Sequence, residues 1–143
     1  MKKFRFYLAL GGLLLSSLPA FSHHSFAAEY DAEAPISITG KVNHVDWVNP
    51  HSWVYVDVEG EDGTVTTWKA ETAPPNGLMR RGWTRSSLEP GTEVTIDGFR
   101  AKDGSTTMNA RSVLLPDGRR MFAGSSGTGA PARVPIKKET RNK

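Results

Sequence analysis

The sequence predicts an all-β domain: a small five-stranded OB-like barrel with a short helical connection between strands 3 and 4. Three observations carry that expectation. Apolar and polar residues alternate with a period of two in several short runs, as where Ile36, Ile38, Gly40 and Val42 interleave with Ser37, Thr39, Lys41 and Asn43. Turn signals punctuate the runs at Asn49-Pro50, Asp62-Gly63, Pro90-Gly91 and Asp103-Gly104. Three strands, a helical interruption and two further strands follow the order of a five-stranded Greek-key barrel. A small open β-sandwich is the alternative that the same strand count permits.

Taken in order, residues 26 to 34 read as an extended lead-in in which Glu29, Asp31 and Glu33 alternate, closed by Pro35. The first strand starts at Ile36, with Gly40 expected at a bend, and runs through Val45 to Val48. Asn49-Pro50 turns the chain into a second strand from His51 to Val58, with Val54, Val56 and Val58 on one face and Trp53, Tyr55 and Asp57 on the other. A hairpin at Asp62-Gly63 leads to the third strand, Thr64 to Glu71. Pro74-Pro75 ends the sheet run; residues 76 to 82 and 84 to 88 predict one or two helical turns, with Thr84 as a cap. Strands four and five are expected at Thr92 to Phe99 and Thr106 to Leu115, the last stopped by Pro116-Asp117-Gly118.

The ends of the chain differ in kind from its middle. Residues 1 to 22 show the parts of a secretory signal: basic Lys2, Lys3 and Arg5, an apolar run from Phe6 to Leu18 broken by Gly11 and Gly12, and a polar end. This run is too short and too interrupted for a stable membrane span. Small residues at Ala20 and Ser22 predict cleavage after Ser22; Ser25-Phe26-Ala27 offers a competing cut after Ala27. The expected organisation is therefore a signal over 1–22, the barrel domain over 23–120 and a disordered basic tail over 121–143, the whole exported to the periplasm.

Charge and cysteine content exclude several functions. Without Lys2, Lys3 and Arg5, the 18 basic residues fall to 15, equal to the 15 acidic ones. Residues 23–118 hold 8 Lys and Arg against 14 Asp and Glu, whereas 119–143 hold 7 against 1. Nucleic acid is not expected as a partner of so acidic a domain, because phosphate affinity comes mainly from Lys and Arg. The chain has no cysteine, which excludes disulfides, thiolate metal sites and thiol catalysis. Neither a Gly-rich phosphate loop, nor HExxH, nor a nucleophile elbow is present.

Four histidines, His23, His24, His44 and His51, carry the strongest chemical signal. Cleavage after Ser22 would make His23 the first residue, so that its amine and imidazole close one chelate ring on a metal ion. Nitrogen donors without thiolates favour copper. His51, at the start of the second strand, is the preferred third ligand over His24 and His44, and Glu29 or Asp31 would support the ligands. A copper carrier or chaperone is expected rather than an enzyme; an oxygen-activating copper mono-oxygenase is a weaker reading. The bland alternative leaves His23 and His24 solvated at the chain end and His51 packed.

Two further groups stand out. Trp53 and Tyr55, on the outward side of the second strand, could stack on a peptide, a glycan or an envelope protein partner, with Trp47 and Trp68 nearby in the pattern. That makes a non-metal interaction module the alternative function, although a lead-in bearing Phe26 and Tyr30 could equally cover those aromatics. Arg80, Arg81 and Arg85 flank Gly82-Trp83-Thr84 and could bind an anion. The competing expectation pairs them with Glu71, Glu89 or Glu93, with Trp83 plugging the barrel.

The run HHSFAAEYD from His23, the GKV at Gly40, Trp47-x-Asn49-Pro50-His51, the stretch Trp68 to Glu71, GWTR at Gly82 to Arg85 and PDGR at Pro116 to Arg119 resemble a family of small exported bacterial proteins. That family is catalogued as a domain of unknown function. The resemblance spans about residues 23–120 and implies a periplasmic location and a β-barrel domain; pairing the His-His opening with Asn49-Pro50-His51 as a site follows from the residues.

Overall fold

The computed structural model describes residues 25–125 and Pro131. Its elements are a four-residue helix α1 (Phe26–Glu29), β1 (Tyr30–Asp46), β2 (Trp53–Glu59), β3 (Val65–Glu71), a short helix α2 (Pro75–Met79), β4 (Glu93–Ala101), β5 (Thr107–Leu114) and β6 (Arg120–Phe122). The protein is mostly β. Sheet neighbours follow the order β3-β2-β1-β4-β5-β6, and β3 pairs with β5 as well, so the hydrogen-bonded path β1-β2-β3-β5-β4 returns to β1 as a ring. The β3–β5 pair is parallel and the other pairs are antiparallel.

β1 serves two partners because it is 17 residues long. Residues Pro35 to Lys41 pair with β4, and Lys41 to Asp46 pair with β2. Gly40 sits at this hand-over, where a Cβ would strike the Asp57 carbonyl and the Val56 side chain; only glycine lets the two backbones approach so closely. A bulge follows between Val42 and His44.

Alternation then builds the core. Val54 and Val56 of β2, Trp68 and Ala70 of β3, Val94 and Ile96 of β4, and Met108, Ala110 and Val113 of β5 are buried in one cluster with Ile38 and Val42. Leu78, Trp83 and Leu88 of the connection between β3 and β4 join it, and the Trp83 indole donates to the Phe122 carbonyl at 3.0 Å. A second cluster holds Phe26, Tyr30, Phe99 and Ala101. Phe99 alternates with the core residues of β4, so this cluster lies on the opposite face of the sheet, where α1 covers it.

Several expectations are corrected. Among the described residues the strands number six, not five: Pro116 to Gly118 reverse the chain instead of ending the sheet, with Gly118 at φ +83° and Leu115 N–H donating to the Arg119 carbonyl at 2.9 Å. β6 is three residues with the burial of a surface strand, too short for periodicity to reveal. Residues 121–125, assigned by composition to a disordered tail, include the end of β6 and the buried Ala123. The lead-in is not wholly extended: Phe26 to Glu29 form a helical turn, and β1 begins at Tyr30 and runs through Pro35. Residues 84 to 88 form turns, not a helix; Thr84 N–H is held by the Ser87 hydroxyl at 2.8 Å.

Gly98 provides a test of the packing. A Cβ there would meet the Asn109 backbone oxygen and the Met108 side chain, so Gly98→Ala is expected to lower the unfolding free energy by about 1–3 kcal/mol in denaturant titration. Val65→Thr, at a position 59% exposed, should stay within about 0.5 kcal/mol of the parent. Equal stability of the Gly98 variant and the parent would contradict this close β4–β5 approach.

Candidate functional site

Strand register assembles the site. The parallel β3–β5 ladder sets Glu71 opposite Asn109, and the β2–β3 ladder sets Trp53 opposite Glu71. These three alternate with the core residues Val54, Ala70 and Met108, so they lie on the sheet face away from the main core. There they meet the second cluster, in which Phe26 stacks on Tyr30 with ring centroids 5.8 Å apart and meets Phe99 edge-on at 5.4 Å. Between them is a cavity of about 250 Å³ whose walls include Phe26, Glu29, His51, Trp53, Glu71 and Asn109.

Glu71 is only 6% exposed, and a buried carboxylate needs partners. It has two: the Tyr30 hydroxyl donates to Oε2, and His51 Nδ1 lies 3.2 Å from Oε1. Burial, and then the neighbouring Glu71, push the Tyr30 phenol well above its ordinary pKa, which keeps it a donor. His51 follows the cis Asn49-Pro50 bond and is half-buried. Its Nδ1 also lies 3.2 Å from the Thr72 carbonyl and 3.3 Å from the Ser125 hydroxyl. The carbonyl can only accept, and the carboxylate does so while ionised, so this surrounding assigns the ring proton to Nδ1. The lone pair then sits on Nε2, for which no hydrogen-bond partner is found among the described residues.

Asn109 completes the polar wall. It is 2% exposed, and its Oδ1 has no hydrogen-bond partner among the described residues. Neither Asn109 nor the Tyr30–Glu71 pair was evident from sequence. Strand alternation assigns both Glu71 and Asn109 to the outward side, which is solvated unless something covers it, and no local signal announced that α1 does.

The remaining expected residues are dispersed. His23 and His24 lie outside the described residues. His44 is exposed and stacks on Tyr55 with ring centroids 4.0 Å apart, away from His51's cavity. Glu29 lines the cavity, whereas Asp31 caps the Glu33 N–H at 2.9 Å. Lys69 Nζ lies 4.1 Å from the centre of the Trp53 ring, so Trp53 and Tyr55 are half-buried and each has a covered face. Of the arginines, Arg81 donates to the carbonyls of Gly77 at 3.5 Å and Gly124 at 3.4 Å, and Arg85 lies over Trp47. The expected pairing with Glu71 is not formed, because Tyr30 and His51 hold that carboxylate. No group of three His, Asp or Glu side chains among the described residues is placed to hold a metal ion. No helix among them is long and apolar enough to cross a membrane.

Fold and site together define a small, six-stranded, mostly β protein with a buried carboxylate beside a covered cavity. The chain belongs to a family of unknown function (DUF6152), whose profile matches residues 12–110. This agrees with the family-level expectation from the motifs. No match is found among curated proteins, and none among solved structures.

The Tyr30–Glu71 contact is testable by a double-mutant cycle. Tyr30→Phe leaves a buried carboxylate short of a donor and is expected to destabilise the fold by about 1–3 kcal/mol. In a Glu71→Gln background the same change should cost less, since no charge is then stranded. Strictly additive unfolding free energies would show that the two groups do not interact.

Proposed function

We propose that this is a periplasmic copper-binding protein of the carrier or chaperone type, built on an OB-like barrel. In this reading cleavage after Ser22 exposes His23, whose amine and imidazole chelate the ion, and His51 Nε2 supplies a third nitrogen with His24 close by. The barrel assignment is supported by the closed strand path β1-β2-β3-β5-β4 and its short helical crossing between β3 and β4, with β6 as an addition.

One observation carries the metal reading: His51 is held through Nδ1 by Glu71 and Thr72, which leaves Nε2 as the donor of a residue that walls the cavity together with Phe26. A carboxylate or carbonyl on the far ring nitrogen is the usual support of a metal-bound histidine. His23 is three residues before Phe26, so a fully extended chain reaches at most about 10 Å from it. The donor set fits the ion: nitrogens, no thiolate, and a carboxylate behind the imidazole. A carrier must also hand its ion on, which implies an envelope protein partner. Stacking of a peptide or glycan on Trp53 and Tyr55 has less support, because Lys69 and His44 already cover ring faces there.

Titration of the purified mature chain with Cu(II) tests the reading. One ion per chain is expected, with affinity at least tenfold weaker in His23→Ala and in His51→Ala, and about 10–100-fold weaker in Glu71→Gln. A chain that begins at Ser22 should lose most affinity, since its terminal amine no longer belongs to a histidine. Absence of one-to-one binding, or binding indifferent to His23→Ala, would end the proposal.

A further inference from the structure

Next to the His51 region, across Ser125, two guanidinium groups converge without a counter-ion among the described residues. Arg111 of β5 is 6% exposed, and its Nε is buried with no hydrogen-bond partner among the described residues. Its Nη1 reaches only the Ser125 carbonyl, at 3.4 Å. Arg81, from the turn after α2, reaches the adjacent carbonyl of Gly124 at the same distance. Both guanidiniums lie against the Phe122 ring, at 4.8 Å for Arg81 and 5.0 Å for Arg111. A Cβ on Gly124 would strike the Arg111 guanidinium, so the chain lies directly on that charge. Beside it is a cavity of about 280 Å³ lined by Ala73, Pro74, Gly77, Arg80, Arg81 and Ser125.

Charge decides what this place can hold. No carboxylate pairs with Arg81 or Arg111 among the described residues; Glu71 is engaged by Tyr30 and His51, and Asp97 by Arg120. Burial, and then the charge of Arg81, push the Arg111 guanidinium below its ordinary pKa, yet a guanidinium stays charged in a protein. Weak contacts to carbonyls and one aromatic face leave the charge of a buried arginine poorly compensated. A second guanidinium beside it, with Arg80 on the same cavity wall, raises the local positive potential further.

We infer that the cavity between α2 and the Gly124-Ser125 segment is an oxyanion site that takes a phosphate group, gripped by Arg81 with Arg80 and stabilised from beneath by Arg111. Planar guanidinium forks match phosphate oxygens, and a dianion answers two uncompensated positive charges. The phosphate is either free or carried on a lipid headgroup. This site does not depend on the copper reading, since it shares no proposed metal ligand.

Calorimetry and thermal unfolding of the metal-stripped mature chain test it, using inorganic phosphate against sodium chloride of equal ionic strength. Phosphate should bind and raise Tm where chloride does not. Arg81→Gln should weaken phosphate binding at least tenfold, and Arg81→Lys should fall between that variant and the parent. Arg85→Gln, whose guanidinium lies over Trp47, should bind like the parent. Flotation with vesicles containing phosphatidic acid, against vesicles of phosphatidylcholine alone, separates the sources: selective capture points to a headgroup, and phosphate binding without capture points to the free anion. Phosphate indistinguishable from chloride, or equal losses in the Arg81→Gln and Arg85→Gln variants, would overturn the proposal. Arg111→Gln is not needed, which avoids a variant that fails to fold.

Discussion

The three-residue parallel ladder between β3 and β5 is the constraint on which the rest of the structure depends. Lys69, Ala70 and Glu71 pair with Thr107, Met108 and Asn109, closing a strand path that would otherwise end in two edges. Closure fixes two faces at once. Ala70 and Met108 turn into the main core at 0% exposure, while Glu71 and Asn109 are aligned on the other face. Sliding β3 by one residue against β5 would turn Glu71 into the core beside Met108 and Ala70 out of it. The hydrophobic core thus enforces the register that juxtaposes the polar groups.

That register sets a cost that other segments offset. A carboxylate at the end of β3 could have remained in water, but α1 and the start of β1 cover it with Phe26 and Tyr30. Covering a charge stabilises the fold only if the desolvated oxygens are paired. Tyr30 comes from the chain's beginning and His51 from the β1–β2 loop, so the buried carboxylate binds two otherwise distant segments to the closure strand. Tethering of α1 follows. Its four residues are far too few to form a stable helix alone, and Phe26 against Phe99 and Tyr30 on Glu71 hold it in place.

Much of the fold was legible because the relevant signals are local. Period-2 runs and turn dipeptides located strands two to five to within about two residues, as expected where one face is buried. Val54 and Val56 were assigned inward and are buried, and Trp83 was assigned to plug the core and is 3% exposed. What escaped was non-local. β6 is three residues of Arg-Met-Phe whose pairing depends on a turn at Gly118, so no periodicity reveals it. The site was half legible: His51 stood out as a histidine after a turn, but its partners are set by ladder closure and by the cover that α1 provides. Glu71 was read only as a partner for arginines, and Arg111 was not singled out within the fifth strand. Its burial comes from residues 123–125, which composition assigned to a solvated tail.

Those last residues have a role that their composition hides. The Ala123 carbonyl accepts from Ala73 N–H at 2.7 Å, and Ala123 N–H donates to the Arg111 carbonyl at 2.9 Å, so the segment is stitched between the end of β3 and β5. One residue on, Gly124 has no side chain and lies flat on the Arg111 guanidinium. The Ser125 hydroxyl oxygen then lies 3.3 Å from His51 Nδ1, and the Ser125 carbonyl accepts from Arg111 Nη1 at 3.4 Å. A single residue therefore touches both polar regions of the protein, the carboxylate–histidine cavity and the paired guanidiniums. These two contacts are at the long end of the hydrogen-bond range, where such bonds contribute little individually. Removing the segment would take a neighbour from both regions at once, since Ser125 contacts His51 and Arg111 alike. The stability of the two sites is in this sense shared, carried by backbone pairing at Ala123 and not by the weak polar contacts beyond it.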